Sequence, residues 1–245
     1  MNHHIRTLSF LFILMATPVV DLLAQPFPGG ATGGLPPILS QLFGEVTGFS
    51  AQANVTVDGR RPSENMEMPM QFDYLNGRMR AEIDMSKIRG AAIPAQMMAS
   101  LKQIGMDRVV TVMNGEDKPA TILYPNLKAS VEVKDASKPS GEKGKLAMEE
   151  TKLGEDTVAG HACDKFRVKV GDQEALVWRA RDLKAFPMQI RMEQSLVRMT
   201  VVYSDVKLVD PQADRFEVPK DYRKFDDMQA VMQDAMQRLL RPAAP

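Results

Sequence analysis

Three methionines stand at alternate positions, Met66, Met68 and Met70, at the head of the stretch "MEMPMQFDYLNGRMRAEIDM". Alternate side chains of a β-strand share one face, so three thioether sulfurs would line one side. Soft thioether ligands suit Cu(I), and that is one chemistry the spacing permits. The same side chains also suit a hydrophobic groove, because Met is unbranched and polarizable and repacks around guests of varied shape. The plainest reading is the dry half of a half-buried strand. A copper site would gain from histidine, yet past the first few residues the chain keeps only His161, far away in sequence.

His161 and Cys163 are the other reactive pair, in "GHACDKF". On a strand they share a face at about 7 Å, too far for a thiol–imidazole hydrogen bond of ~3 Å. Cysteine-protease or thiol-redox chemistry is not indicated. Cys163 runs out of phase with Phe166 and Val168, which predicts a small residue packed at the start of the strand; a partly exposed thiol pairing between chains is the alternative. As the sole cysteine it can form no intrachain disulfide. Carboxylates are scattered. Glu149-Glu150 reads as a solvated edge and Asp226-Asp227 as a helix N-terminus, so no acid pair for glycoside hydrolysis emerges. No serine elbow, phosphate loop or HExxH zinc motif occurs. The expectation is a non-catalytic protein without cofactor or metal.

Those residues must be held by an exported chain. "MNHHIRTLSFLFILMATPVVDLLAQPFPGG" has the layout of a secretory signal peptide: Arg6, an apolar run from Leu8 to Val20, and a small residue, Ala24, before a Pro/Gly stretch. The run is too short to span a bilayer of ~30 Å, and no later stretch is long and apolar enough to do so. Cleavage is placed after Ala24, with no cysteine nearby for a lipid anchor. The expected division is 1–24 signal peptide, 25–44 Pro/Gly-rich segment, 45–224 one β domain, and 225–245 C-terminal amphipathic helix and tail. Lys and Arg number 31 and Asp and Glu 31, well mixed, which argues against a nucleic-acid footprint or a polybasic membrane patch. A periplasmic or secreted location follows.

In "GFSAQANVTVDG", Phe49, Ala51, Ala53, Val55 and Val57 alternate with polar residues and predict a strand with one dry face. Asn76-Gly77 is a preferred type I′ hairpin pair, since both turn positions need positive φ. A two-residue loop there pairs Tyr74 with Met79, Phe72 with Ala81, Met70 with Ile83 and Met68 with Met85 on one face. It pairs Asp73 with Arg80 and Gln71 with Glu82 on the other. Turn chemistry and apolar phase agree on this register. Pro69 has no N–H to give the ladder, so a bulge or sheet edge is expected there. "IPAQMMASLKQIG" predicts a helix with Pro94 in its first turn, Gly105 past its end, and Ile93, Met97, Leu101 and Ile104 on one face. "RVVTVMNGEDKPATILYP" and "KASVEVKD" predict three strands, and Ala136–Lys145 a loop. "DKFRVKVGDQEALVW" reads as a hairpin with Phe166 and Val168 facing Trp178 and Leu176. "PMQIRMEQSLVRMTVVYSDVKL" adds two strands, and "DPQADRFEVPKDY" closes the sheet. "FDDMQAVMQDAMQRLL" is an amphipathic helix with Met228, Val231, Met232, Ala235 and Leu239 on its apolar side. The fold class is mainly β (α+β), with about nine or ten antiparallel strands, one internal helix and one terminal helix.

"GRMRAEIDM" resembles an early strand of periplasmic lipoprotein-carrier-like domains. "AGHACDKFRVKV", "ALVWRARDL" and "DRFEVPKDYRKF" resemble an uncharacterised exported bacterial family of the domain-of-unknown-function 4412 type. Gly160, Cys163, Trp178, Phe216 and Pro219 match its pattern, and the resemblance covers roughly Gly48 to Phe225. It implies a half-barrel, one strongly curved antiparallel sheet with helices in or over its concave face, where better-known relatives hold acyl chains or other lipid. The expected business face is Met66, Met68, Met70, Phe72, Tyr74, Met79, Ile83 and Met85, with Met97, Leu101 and Trp178. The expected partner is a hydrophobic small molecule or lipid. The alternatives are an envelope protein docking on the C-terminal helix of a filled, ligand-free core, and Met-based copper binding.

Overall fold

The computed structural model describes residues 42–43, 46–90, 93–115, 118–133, 147–171, 173–194 and 197–240. The expected signal peptide, the Gln25–Pro37 stretch and the Ala136–Lys145 loop lie outside them. The chain forms strands β1 (Gly48–Asp58), β2 (Met66–Leu75), β3 (Arg78–Asp84), β4 (Arg89–Gly90), β5 (Arg108–Asn114), β6 (Ala120–Tyr124) and β7 (Ala129–Val133). They are followed by β8 (Met148–Val158), β9 (His161–Val170), β10 (Gln173–Ala180), β11 (Phe186–Gln194), β12 (Val197–Lys207) and β13 (Arg223–Phe225). Two α-helices are described, α1 (Ala95–Gln103) and α2 (Met228–Leu240).

All thirteen strands belong to one open sheet, ordered β13-β7-β6-β5-β3-β2-β1-β12-β11-β10-β9-β8, with the two-residue β4 paired beside β2. Two antiparallel meanders, β1 to β7 and β8 to β12, are joined edge to edge where β1 pairs β12. The strand number exceeds the nine or ten expected. The difference lies in strands without an apolar period: β8, "MEETKLGEDTV", is exposed along nearly all its length, and β4 and β13 are two and three residues long. β13 (Arg223–Phe225) pairs β7 in parallel, so "DPQADRFEVPKDY" does not itself close the sheet. Phe216 lies instead in a short 3₁₀ turn, Ala213–Phe216.

The β2–β3 hairpin adopts the register its turn demands. Met70 pairs with Ile83, Phe72 with Ala81, Asp73 with Arg80 and Tyr74 with Met79, and Asn76 and Gly77 have φ of 49° and 82°. Met68 does not pair with Met85. β3 stops at Asp84, Met85 begins a 3₁₀ turn, and β4 takes over beside Met66 and Glu67. Pro69 falls in the gap between β3 and β4, where no N–H is required, while its other side stays paired to Asn54 of β1. The residue that cannot donate therefore sits where the ladder changes partner. In the β9–β10 hairpin Phe166 faces Val177 and Val168 faces Ala175, one residue from the pairing expected, because Trp178 and Leu176 belong to the opposite face.

Apolar side chains collect in two main clusters on one face. The first uses β1, β2 and β9 to β12, with Leu42 and Phe43 seated on it. The second uses β5, β6 and β7 and is covered by α1 and α2. Ile83 and Ile88 touch both. Leu101 of α1 is buried, and Gly105 follows with a φ of +76° that ends the helix. Asp227 caps α2 by accepting the Ala230 N–H at 2.8 Å, and Val231 and Ala235 are buried beneath it. Leu239, expected on the apolar side, is exposed. On the other face Leu75, Val110, Val112, Leu123 and Phe216 form a third cluster.

Candidate functional site

β1 and β2 carry their apolar residues in phase, so Phe49 lies opposite Tyr74, Ala51 opposite Phe72, Ala53 opposite Met70 and Val55 opposite Met68. Across β12 the same face continues as Met199, Val201 and Tyr203, and across β11 as Met188, Ile190 and Met192. Aromatic rings converge at one end. Phe43 lies 4.8 Å from Phe49, 5.2 Å from Tyr74, 6.0 Å from Phe72 and from Phe186, and 6.3 Å from Tyr203, centroid to centroid. β1 and β11 are two ladder steps apart, roughly 9.6 Å in a flat sheet, yet the rings of Phe49 and Phe186 meet at 4.8 Å. The rings lean together into one aromatic cluster, with Phe43 seated among them. Register shifts in β1, β8 and between β10 and β11 are of the kind that bends strands locally.

The expected site residues are divided by this arrangement. Met66, Met68, Phe72 and Met79 are buried and Met70, Tyr74 and Ile83 half-buried on the face just described. Met85 joins the second cluster, as do Met97 and Leu101 from α1. Trp178 touches the first cluster, but the alternation of β10 points it to the face opposite Val177. Its ring lies under Lys165 Nζ at 4.9 Å and the Arg191 guanidinium at 5.3 Å, and its indole N–H donates to Asp156 at 3.1 Å. With the Thr157 backbone N–H, that bond holds the Asp156 carboxyl below its ordinary range. The site residues unseen in the sequence are Leu42, Phe43, Phe186 and Tyr203. Apolar or aromatic character was their only signal, since their contacts come from distant parts of the chain.

Arg179 stands at the rim, one residue from Trp178 and therefore on the face of Val177. Its Nη1 donates to the carbonyls of Leu42 at 2.9 Å and Ala185 at 3.2 Å, and its Nη2 donates to Glu150 at 2.6 Å. Glu150 lies on the exposed edge strand β8, as expected of a solvated edge residue, and pairs there with Arg179. Cys163 is buried, and its thiol points to the His161 carbonyl at 3.4 Å. Burial raises the thiol's pKa, so the exposed, chain-pairing thiol is overturned. His161 Nδ1 instead meets Asp182 at 2.7 Å and holds that carboxyl low. No cluster of three His, Cys, Asp or Glu side chains suited to a metal occurs among the described residues.

The protein defined by this geometry is an open, mainly antiparallel sheet with one continuous apolar face. The chain belongs to the family described as Domain of unknown function (DUF4412), which matches residues 62–195, more than half of its length. No curated protein matches it in sequence. It is similar to a chain of the Pseudomonas aeruginosa MucA/MucB complex at 14% identity and a TM-score of 0.40, over 76% of this chain and 61% of that one. The Mycobacterium tuberculosis lipoprotein LppX is similar at 11% identity and a TM-score of 0.38, over 66% of this chain and 87% of that one. LprF from Mycobacterium bovis follows at 12% identity and 0.37, over 77% and 99%. The chain spans less than two thirds of the length of the MucA/MucB match. Among the described residues no helix is long and apolar enough to cross a membrane.

Proposed function

We propose that this is an exported, non-catalytic binding protein, and that a lipid or acyl chain lies in the concave face of its strongly curved, half-barrel sheet. The division of the helices carries the reading. α1 and α2 both pack on the β5–β7 end, while neither supplies a side chain to the aromatic cluster of β1, β2, β11 and β12, on which Leu42 and Phe43 are seated. The Met66–Met79 side of the hairpin is one wall of that trough. Apolar burial at ~25 cal/mol per Å² favours any chain of suitable width, and methionine walls adapt to several. Native mass spectrometry of the protein taken from its own envelope without detergent tests this. Added mass that organic extraction releases as lipid is the expected result. A bare chain, unchanged by added fatty acid or phospholipid, overturns it.

A second reading has its own observation. Met236, Leu239 and Leu240 of α2 are 50%, 49% and 84% exposed, as a docking strip for an envelope protein would be. Leu239→Ser with Leu240→Ser leaves the buried Val231 and Ala235 in place. On this reading the double variant loses a co-purifying protein while keeping its fold; on the lipid reading its bound lipid is unaffected.

A further inference from the structure

We infer that Leu42 and Phe43 occupy the place of the ligand, and that the ligand they stand in for is a neutral acyl ester. This rests on the hydrophobic-ligand reading above and names the class of ligand. Phe43 puts an apolar ring among those of Phe49, Phe72, Tyr74, Phe186 and Tyr203. One residue earlier, the Leu42 carbonyl accepts a hydrogen bond from Arg179 Nη1 at 2.9 Å. A carbonyl beside a compact apolar body is also what the head of an acyl chain presents. Beyond these contacts the Phe43 carbonyl accepts the Val46 N–H at 3.1 Å, and β1 starts only at Gly48.

The charge at the rim selects the head. Arg179 is already ion-paired, its Nη2 donating to Glu150 at 2.6 Å. A free carboxylate or phosphate brought to Arg179 would also face Glu150, and like charges sharing a site repel. A neutral carbonyl meets no such repulsion, and the Leu42 carbonyl is one.

The test uses the full chain, with 1-monopalmitoylglycerol and sodium palmitate as probes at about pH 8, where the palmitate head is an anion. Calorimetry is expected to show the ester bound at least about tenfold more tightly than palmitate. Arg179→Gln weakens the ester by about tenfold, the worth of a hydrogen bond to a charged group. Glu150→Gln raises palmitate affinity, a change that a merely structural pair would not produce. Bound ester also speeds chymotrypsin cleavage after Phe43 in the unmodified chain, a readout that needs no variant to fold. Ester binding that leaves cleavage unchanged and is indifferent to Arg179→Gln overturns the inference and spares the trough. Palmitate bound in preference to the ester overturns the ligand class. Failure of both probes to bind removes the hydrophobic-ligand reading and this inference together.

Discussion

Asp73 is fully buried on the reverse face of the sheet, although its alternation with Phe72 and Tyr74 marks a wet position. It accepts from Ser50 Oγ at 2.6 Å and from Arg215 Nε and Nη2 at 3.1 and 2.7 Å, with Arg80 Nη1 at 3.7 Å. The carboxylate thereby ties β1, β2, β3 and the Ala213–Phe216 turn together. Removing one member of a buried, hydrogen-bonded charge group costs more than the pair was worth, because the remaining charges stay desolvated. Asp73→Ala is expected to lower stability by about 3 kcal/mol in urea unfolding, with Asp73→Asn costing less. Glu82, on the same face, takes hydrogen bonds from Arg80 Nη2 at 2.7 Å and Arg108 Nε at 2.5 Å. Burial pushes its carboxyl up, but the two arginines outweigh it and hold the pKa below the usual value. A carboxyl whose pKa is lower folded than unfolded adds stability above its ordinary value of about 4.5, and loses it as pH falls through the folded value. Melting temperature should therefore drop as pH falls below about 4.5, and Glu82→Gln should flatten that acid limb. An unchanged slope would remove Glu82 from the account.

At the scale of elements, the β2–β3 hairpin was fully legible in everything local. Asn76-Gly77 set the turn, and the turn set the register down to Met70 and Ile83. Gly77 sits at φ +82° with open space around a would-be Cβ, so only backbone strain opposes a side chain there. Gly77→Ala is expected to cost about 1 kcal/mol, seen as a lowered urea midpoint without a change in slope. A cost near zero would mean the turn is not of the type the register implies. β8 was not legible, because its eleven residues carry no apolar period; backbone pairing to β9 holds it, and pairing leaves no mark on composition. The Met68–Met85 pair failed for a related reason: Pro69 ends the β3 ladder two residues early, and Met85 turns away to the second cluster. α2 was legible up to Ala235. Beyond it, the apolar period continues through Leu239, but that side chain is left largely in solvent.

At the scale of the molecule, two tyrosines report whether the clusters on the main apolar face are intact. Tyr203 lies in the first and Tyr124 in the second, and burial raises both phenol pKa values well above 10. A buried acid kept neutral costs nothing at low pH; once the unfolded chain can ionise, the unfolded state gains. Stability should fall as pH rises beyond about 10, and Tyr203→Phe should lessen the fall while keeping the ring among its neighbours. An alkaline limb identical in the variant would show that Tyr203 is not shielded. What the sequence determined by itself is what depends on near neighbours: strand phase, the Asn76-Gly77 turn, the Pro94 and Gly105 limits of α1, the Asp227 cap. The sequence also carried enough local pattern to indicate the family. What only the tertiary structure decided is which dry faces meet. β1 joins β12 across about 150 positions of chain, Phe43 finds Phe186 and Tyr203, Arg179 reaches the Leu42 carbonyl, and Trp178 turns to the reverse face. Apolar burial is non-directional. Local pattern marks a side chain as due for burial and leaves its partners to be selected by the closure of the whole sheet.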